Sequence, residues 1–395
     1  MRPPHRILNR HQVHRSATRH LQRHVPLRGS KRTVSAQTLW AVLIVAAAGA
    51  TSVHATCGHL DGLASEEAVR QALYASLPEF AELQRRLNRA LAGRLPRALR
   101  RRRQRLAIDL TLIPYHGEPF RDPAEVYRGM ARDGTSHFHA YATAYVVLKG
   151  QRFTVALTAV AKGEAMRDVV QRVLGQARRA GVRARLVLLD RGFYAVDVIR
   201  YLQAARLPFV MPALIRGRTA RDPRGPSGTR VFALRKRSGW FEYTVANAAG
   251  RRAAVSVCVS CHNLRGRRGR RGRRALVYAC WGVPGRSCAW VRETYRVRFG
   301  IESSYRQMNQ ARGRTSTRRP ELRLVYVGIA LVLRNEWVWL HFEVLSMPRR
   351  GGRLIRPERL RLRALLRWLV QVVEDAFGTV AAARTERTLC SELLN

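Results

Sequence analysis

In a chain this basic, the informative residues are the acids. Lys and Arg number 73 against 26 Asp and Glu in 395 residues, a formal net charge of +47. Yet Asp109 sits inside the apolar run Leu106-Ala-Ile-Asp109-Leu-Thr-Leu-Ile113, and Asp190 closes Leu186-Val-Leu-Leu-Asp190. A carboxylate in or at the end of a central strand is costly unless it is paired or holds a metal ion. A third acid, Glu302, follows Tyr295 and Arg298 at offsets of −7 and −4, which puts all three on one helix face. Arg298 can there hold Glu302 or bind a phosphate. Carboxylates that converge on hard divalent ions do phosphoryl-transfer chemistry. The plain alternative is that each acid pairs with one of the abundant arginines.

The elements that must position these acids follow from hydrophobic periodicity. Leu106–Tyr115 reads as a strand, with two more at His137–Leu148 and Phe153–Val160 around a Lys149-Gly150 turn. Met166–Ala180 reads as a helix ended by Gly181, Arg185–Leu189 as a strand, Val196–Ala205 as a helix and Phe209–Leu214 as a strand. The order β-β-β-α-β-α-β predicts an α/β fold with an RNase H-like mixed sheet. That sheet lays the strands of Asp109 and Asp190 side by side. Residues 215–285 read as a β-rich insertion with strand-like runs at 229–235, 240–247, 252–259 and 275–281. Its Arg-rich loop, Arg265–Arg274, suits phosphate contact. Helices are expected over 290–311, 320–346 and 356–376. The middle one is strongly apolar but carries Arg323, Arg334, Asn335, Glu336 and Glu343, which favours a buried core helix over a membrane span.

Ahead of the sheet, residues 1–34 hold nine Lys/Arg, five His and no acid, and read as a flexible basic arm. The apolar run Leu39–Ala50 is too short for a bilayer span, and a buried helix over 36–48 ended by Gly49 is expected. Ser65 caps a helix that opens with Glu66 and Glu67, and Phe80, Leu83, Leu87 and Leu91 mark another. Residues 35–105 are thus expected to form a small all-α, DNA-binding domain, either a helix-turn-helix with 65–76 as its second helix or a plain bundle. The catalytic domain spans 106–346, and 347–395 is a C-terminal helical basic segment. The excess of base calls for a polyanionic partner. Six cysteines make no disulfide framework. Cys258, Cys261 and His262 spell the C-x-x-C-H of haem attachment, and Cys280 and Cys288 would complete a four-thiol zinc set. Structural thiols in a reducing, cytoplasmic, nucleoid-associated protein are the favoured reading.

On these residues the chain resembles a DDE-type insertion-sequence transposase of the IS-four group. That group reads Tyr, two residues, Arg, three residues, Glu, six residues, then Lys or Arg. Tyr295, Arg298 and Glu302 fit; the last position falls on Asn309, and Arg306 or Arg312 is left to supply the cation. Asp109 and Asp190 match the family's first two acids, the latter in Leu189-Asp190-Arg-Gly-Phe-Tyr194. The intervals of 81 residues (109 to 190) and 112 residues (190 to 302) suit an insertion before the Glu. The resemblance implies Asp109, Asp190 and Glu302 as catalytic and metal residues holding two Mg²⁺ or Mn²⁺ ions, with Tyr295, Arg298 and Arg306 on DNA phosphates. It implies double-stranded DNA, transposon ends and target, as partner, metal-dependent strand cleavage and strand transfer as activity, and a homodimer on paired ends. An RNase H-like nuclease or resolvase, and a non-catalytic basic DNA-binding relic, are the competing readings. A membrane or secreted haem protein is a fourth.

Overall fold

The computed structural model describes residues 7–30, 34–265 and 271–381. The chain begins with helices α1 (Arg10–His24), α2 (Ala36–Ala48), α3 (Val53–His59), α4 (Glu66–Ser76), α5 (Phe80–Gly93) and α6 (Arg97–Arg101). Strands β1 (Gln104–Pro114), β2 (Tyr127–Arg132), β3 (Thr135–Val146) and β4 (Thr154–Val160) follow. Next come α7 (Met166–Arg179), β5 (Ala184–Leu189), α8 (Val196–Ala204), β6 (Phe209–Pro212), α9 (Arg230–Ala233), β7 (Gly239–Ala246), β8 (Arg252–Arg265) and β9 (Arg271–Trp281). Helices α10 (Cys288–Arg296), α11 (Gly300–Gln310) and α12 (Pro320–Trp339), the hairpin β10 (Met347–Arg349) and β11 (Gly352–Leu354), and α13 (Leu362–Phe377) complete it.

The chain divides into two compact units. One holds the described residues up to Leu83, Gln307–Trp337 and those from Pro357 onward; the other holds Gln84–Arg306 and Val338–Arg356. The first is all helical apart from an isolated bridge between Leu60 and Thr379. Its centre is α2, buried from Leu39 to Ala48 and closed by Gly49, as its apolar run predicts. The stretch read as an arm differs. Residues 10–24 form α1, with Asn9 and Gln12 making a reciprocal capping box. Val13, Ala17 and Leu21, four residues apart, are buried on one face. A single apolar residue per turn is enough here because α13 and α2 supply the rest of the core, and Arg10 pairs with Asp375 of α13 at 3.0 Å. Residues 1–6 and 31–33 of the arm lie outside the described set. Among the described residues, no single helix is long and apolar enough to cross a membrane.

The second unit is built on one nine-stranded sheet. Its first part runs β4-β3-β1-β5-β6, with β1–β3 and β3–β4 antiparallel and β1–β5–β6 parallel. This is the RNase H-like order, in an α/β fold preceded by helices. The strand β2 extends β3 beyond the sheet proper and was not foreseen; its residues are largely exposed and show no apolar alternation. The 215–285 segment does not stand apart. β9 pairs antiparallel with β6, so β9, β8 and β7 continue the same sheet. Only Thr229–Arg235 departs from the strands expected there: it contains the short helix α9, from which Phe232 is buried. Residues 266–270 of the Arg-rich loop lie outside the described set.

The free edge of β4 is closed by side chains. Asn88 of α5 donates its amide to the Leu157 carbonyl at 2.8 Å and accepts from the Leu157 N–H at 2.9 Å. Gln84 accepts from Ala159 N–H at 2.7 Å, and Arg172 of α7 donates to the Ala159 carbonyl at 2.9 Å. These side chains take up the Leu157 and Ala159 groups as a further strand would, and so blunt the edge against pairing with another chain.

Candidate active site

Alternation along the strands decides where the acids point. Ala107 of β1 and Leu188 of β5 face a buried cluster with Tyr145, Val210, Val291, Tyr295 and Ile301. Asp109 is two residues on from Ala107, and Asp190 two on from Leu188 in extended backbone, so both emerge on that face. Ile108 lies beside Leu189 in the parallel ladder, which sets the two carboxylates next to each other, Asp109 midway along β1 and Asp190 just past the end of β5. Helices α10 and α11 cover the same face and bring Glu302. The helical run expected over 290–311 breaks here: it tightens to a 3₁₀ turn at Val297–Phe299 and restarts at Gly300. Glycine is needed at the restart, because a Cβ on Gly300 would lie 2.7 Å from the Tyr145 hydroxyl.

The three acids, far apart in sequence, meet one guanidinium. Arg298 Nη1 donates to Asp109 Oδ2 at 3.0 Å, and Nη2 lies 3.3 Å from Asp190 Oδ1 and 3.5 Å from Glu302 Oε1. The Arg298 side chain is 4% exposed and Asp109 14%, whereas Asp190 and Glu302 are 44% and 52% exposed. The buried cation is therefore at the centre, with two carboxylates open to solvent. Burial pushes the Asp109 carboxyl up to about 6; Arg298 opposes the rise and the like charge of Asp190 adds to it. Asp109 Oδ1 also accepts from the Leu110 N–H at 2.9 Å. The guanidinium lies 5.2 Å from the ring centres of both Tyr295 and Phe299. Tyr295 itself is buried.

Asp190, Tyr295, Arg298 and the half-exposed Phe299 line a cleft of about 650 Å³ whose rim carries Arg191, Arg274, Arg292 and Arg296. Of the residues expected at phosphates, Arg306 stands apart: it is exposed, bonds Ser303 at 3.3 Å and does not reach the acids. Arg312 donates to Asn309, the residue at the position to which the resemblance assigns a cation, at 3.3 Å. Tyr305 carried no role in the sequence. Its hydroxyl donates to the Asp109 carbonyl at 2.9 Å and lies 2.8 Å from the Thr143 hydroxyl. It stands three residues after Glu302, one helical turn on. His116 and His137 line a separate cleft with Tyr115, Arg121, Arg128 and Lys162.

The donor set suits hard divalent ions, since carboxylate oxygens are their preferred ligands. As they stand, no group of three or more His, Cys, Asp or Glu side chains among the described residues is placed to hold an ion. At the triad, Arg298 lies among the carboxylates. The thiols form no zinc set either. Cys258 and Cys261 are three apart on β8 and face opposite sides. Cys258 and Cys280 are buried in the core with Cys288 beside them, and Cys261 donates to the Arg235 carbonyl at 3.3 Å.

The family model of the transposase DDE domain matches residues 100–335, more than half of the chain and all three acids. No curated protein matches the sequence significantly. Among solved structures, the chain is similar to a piggyBac transposase in a synaptic complex with hairpin DNA, determined by cryo-EM. The identity is 10% and the TM-score 0.49, over 94% of this chain and 72% of that one, a likeness too slight to bear on function.

Proposed function

The chain belongs to the transposase DDE domain family, and from that premise we propose that it is a DNA transposase of the IS-four group whose catalytic residues are Asp109, Asp190 and Glu302. One observation carries the assignment of residues. Three acids separated by 81 and 112 residues come within 3.0–3.5 Å of one side chain, from two neighbouring strands and the helix that covers them. Ion pairing of three acids at random with a surplus of arginines would scatter them instead.

Bound at these carboxylates, two Mg²⁺ or Mn²⁺ ions supply activation of the attacking hydroxyl and stabilisation of the leaving 3′-oxygen. The chain's own residues do the rest. Asp109, fixed at its carbonyl by Tyr305 and at its carboxylate by the Leu110 N–H, is the rigid member. Asp190, which lines the cleft, and Glu302, exposed to solvent, meet the substrate side. The rim arginines attract the backbone of double-stranded DNA through charge and reach alone. Tyr295 acts from beneath, as the surface on which Arg298 rests. The helices within 35–105 are the candidate reader of transposon ends, and pairing two ends calls for two copies of the chain.

The test is strand cleavage and joining on duplexes carrying the inverted repeats that flank the reading frame. Asp109→Asn, Asp190→Asn and Glu302→Gln each abolish both steps and leave DNA binding near intact. Cleavage retained by any of the three overturns the residue assignment. Cutting of any duplex alike, without joining, identifies a nuclease instead.

A further inference from the structure

We propose that Arg298 is the resident counter-ion of the acid triad, standing where a divalent cation is taken up, so that metal entry requires the guanidinium to leave its three carboxylates. The inference rests on the reading of Asp109, Asp190 and Glu302 as metal residues. It concerns what those residues hold beforehand.

The geometry points to a guanidinium held by charge rather than by an ideal set of bonds. Nη2 is shared between Asp190 and Glu302 at 3.3 and 3.5 Å, and only Nη1 to Asp109, at 3.0 Å, has ordinary hydrogen-bond length. The Nε–H is buried and meets no partner. A firmly structural arginine would be expected to saturate its donors. The triad, conversely, needs a cation: without one, Asp109 and Asp190 would face each other as like charges. Magnesium takes its oxygen ligands at about 2.0–2.1 Å. The carboxylates now stand at nitrogen distances of 3.0–3.5 Å around Arg298, too far out to close on a smaller ion while the guanidinium remains between them. The exit is built as well. Tyr295 and Phe299 lie 5.2 Å from the guanidinium, and Phe299 is half exposed at the cleft. A guanidinium released from the acids therefore moves along two aromatic rings into the cleft where the rim arginines stand. There a DNA phosphate replaces the carboxylates as its partner, so holding the acids and gripping the substrate are alternatives for one side chain, and uptake of the ion goes with the second.

The experiment measures Mn²⁺ binding to the full chain without DNA, from the free Mn²⁺ signal in electron paramagnetic resonance, alongside melting temperature in EDTA and in Mn²⁺. A neighbouring unit charge shifts an ionic equilibrium by about one to three powers of ten. Arg298→Gln is therefore expected to bind Mn²⁺ about tenfold or more tightly than the parent chain, to melt lower in EDTA and to regain stability in Mn²⁺. Arg298→Lys, which keeps the charge but cannot bridge three carboxylates, falls between the two, and it decides the matter if the Gln variant does not fold. Unchanged or weaker Mn²⁺ binding in the folded variants overturns the inference. The underlying reading fails separately, if Asp109→Asn and Asp190→Asn leave Mn²⁺ binding as it was.

Discussion

At the scale of single residues, the site is organised in part by side chains to which the sequence assigned no role. Tyr305 is the clearest. It ties α11 to β1 through the Asp109 carbonyl and to β3 through Thr143. Tyr305→Phe removes these contacts at nearly constant volume. Loss of a buried hydrogen bond costs about 1–2 kcal/mol, which urea unfolding will register. The cleavage rate should fall with it, because the Asp109 backbone loses its anchor. The thiols give a second prediction. Burial, and then Glu66, push the Cys57 thiol up to about 11. Only the thiolate reacts, and below its pKa the thiolate fraction grows tenfold per pH unit. Alkylation of Cys57 by iodoacetamide, followed by mass spectrometry, should be slow near about pH 8 and climb about tenfold per unit towards about pH 11. Rapid labelling at neutral pH would contradict the burial that α3 imposes. Asp109, Asp190 and Glu302 were legible as acids out of place in apolar strands or in step with Tyr and Arg. The central position of Arg298 was not, because the sequence places it one turn from Glu302 and says nothing of its distance from two strands.

At the scale of elements, what the sequence made plain was whatever carried its own periodicity. β1, β5 and β6 are short apolar runs; α2 is a long one; α7 and α8 have an apolar face. Each stands within a few residues of its expected place. Three features were hidden for different reasons. α1 has a sparse apolar stripe among arginines and histidines, so its helicity depends on partners distant in sequence. β2 is exposed and pairs with β3 only at its two ends. The turn at Val297–Phe299 interrupts a pattern that would fit one continuous helix. The closure of β4 by α5 was equally invisible, since it rests on the side chain of Asn88, which local propensity treats as a poor helix former. Its worth can be measured. Asn88→Ala leaves the Leu157 N–H and carbonyl without partners inside the protein, and unsatisfied buried groups cost about 1–3 kcal/mol each. Denaturant unfolding should show a loss of about 2–4 kcal/mol, with Asn88→Asp, which keeps an acceptor only, losing part of it.

At the scale of the whole molecule, the charge has a use only if it meets a polyanion. Arg191 and Arg274 stand at the rim of the acid cleft. Each phosphate contact contributes about 0.9 to the slope of log affinity against log salt. The double change Arg191→Gln, Arg274→Gln should lower that slope by about 2 in fluorescence anisotropy and weaken all duplexes alike. An unchanged slope would place the DNA elsewhere. The sheet itself has a consequence of another kind. Because β9 is bonded to β6, residues 215–285 are the covering of a strand two places from the one bearing Asp109. Trimming them away to obtain a smaller enzyme would leave β6 as a raw border, without the amides that guard β4. The shortened chain should then precipitate by adding copies of itself along that border. A segment that looks like an appendage in the sequence is thus what keeps that border closed.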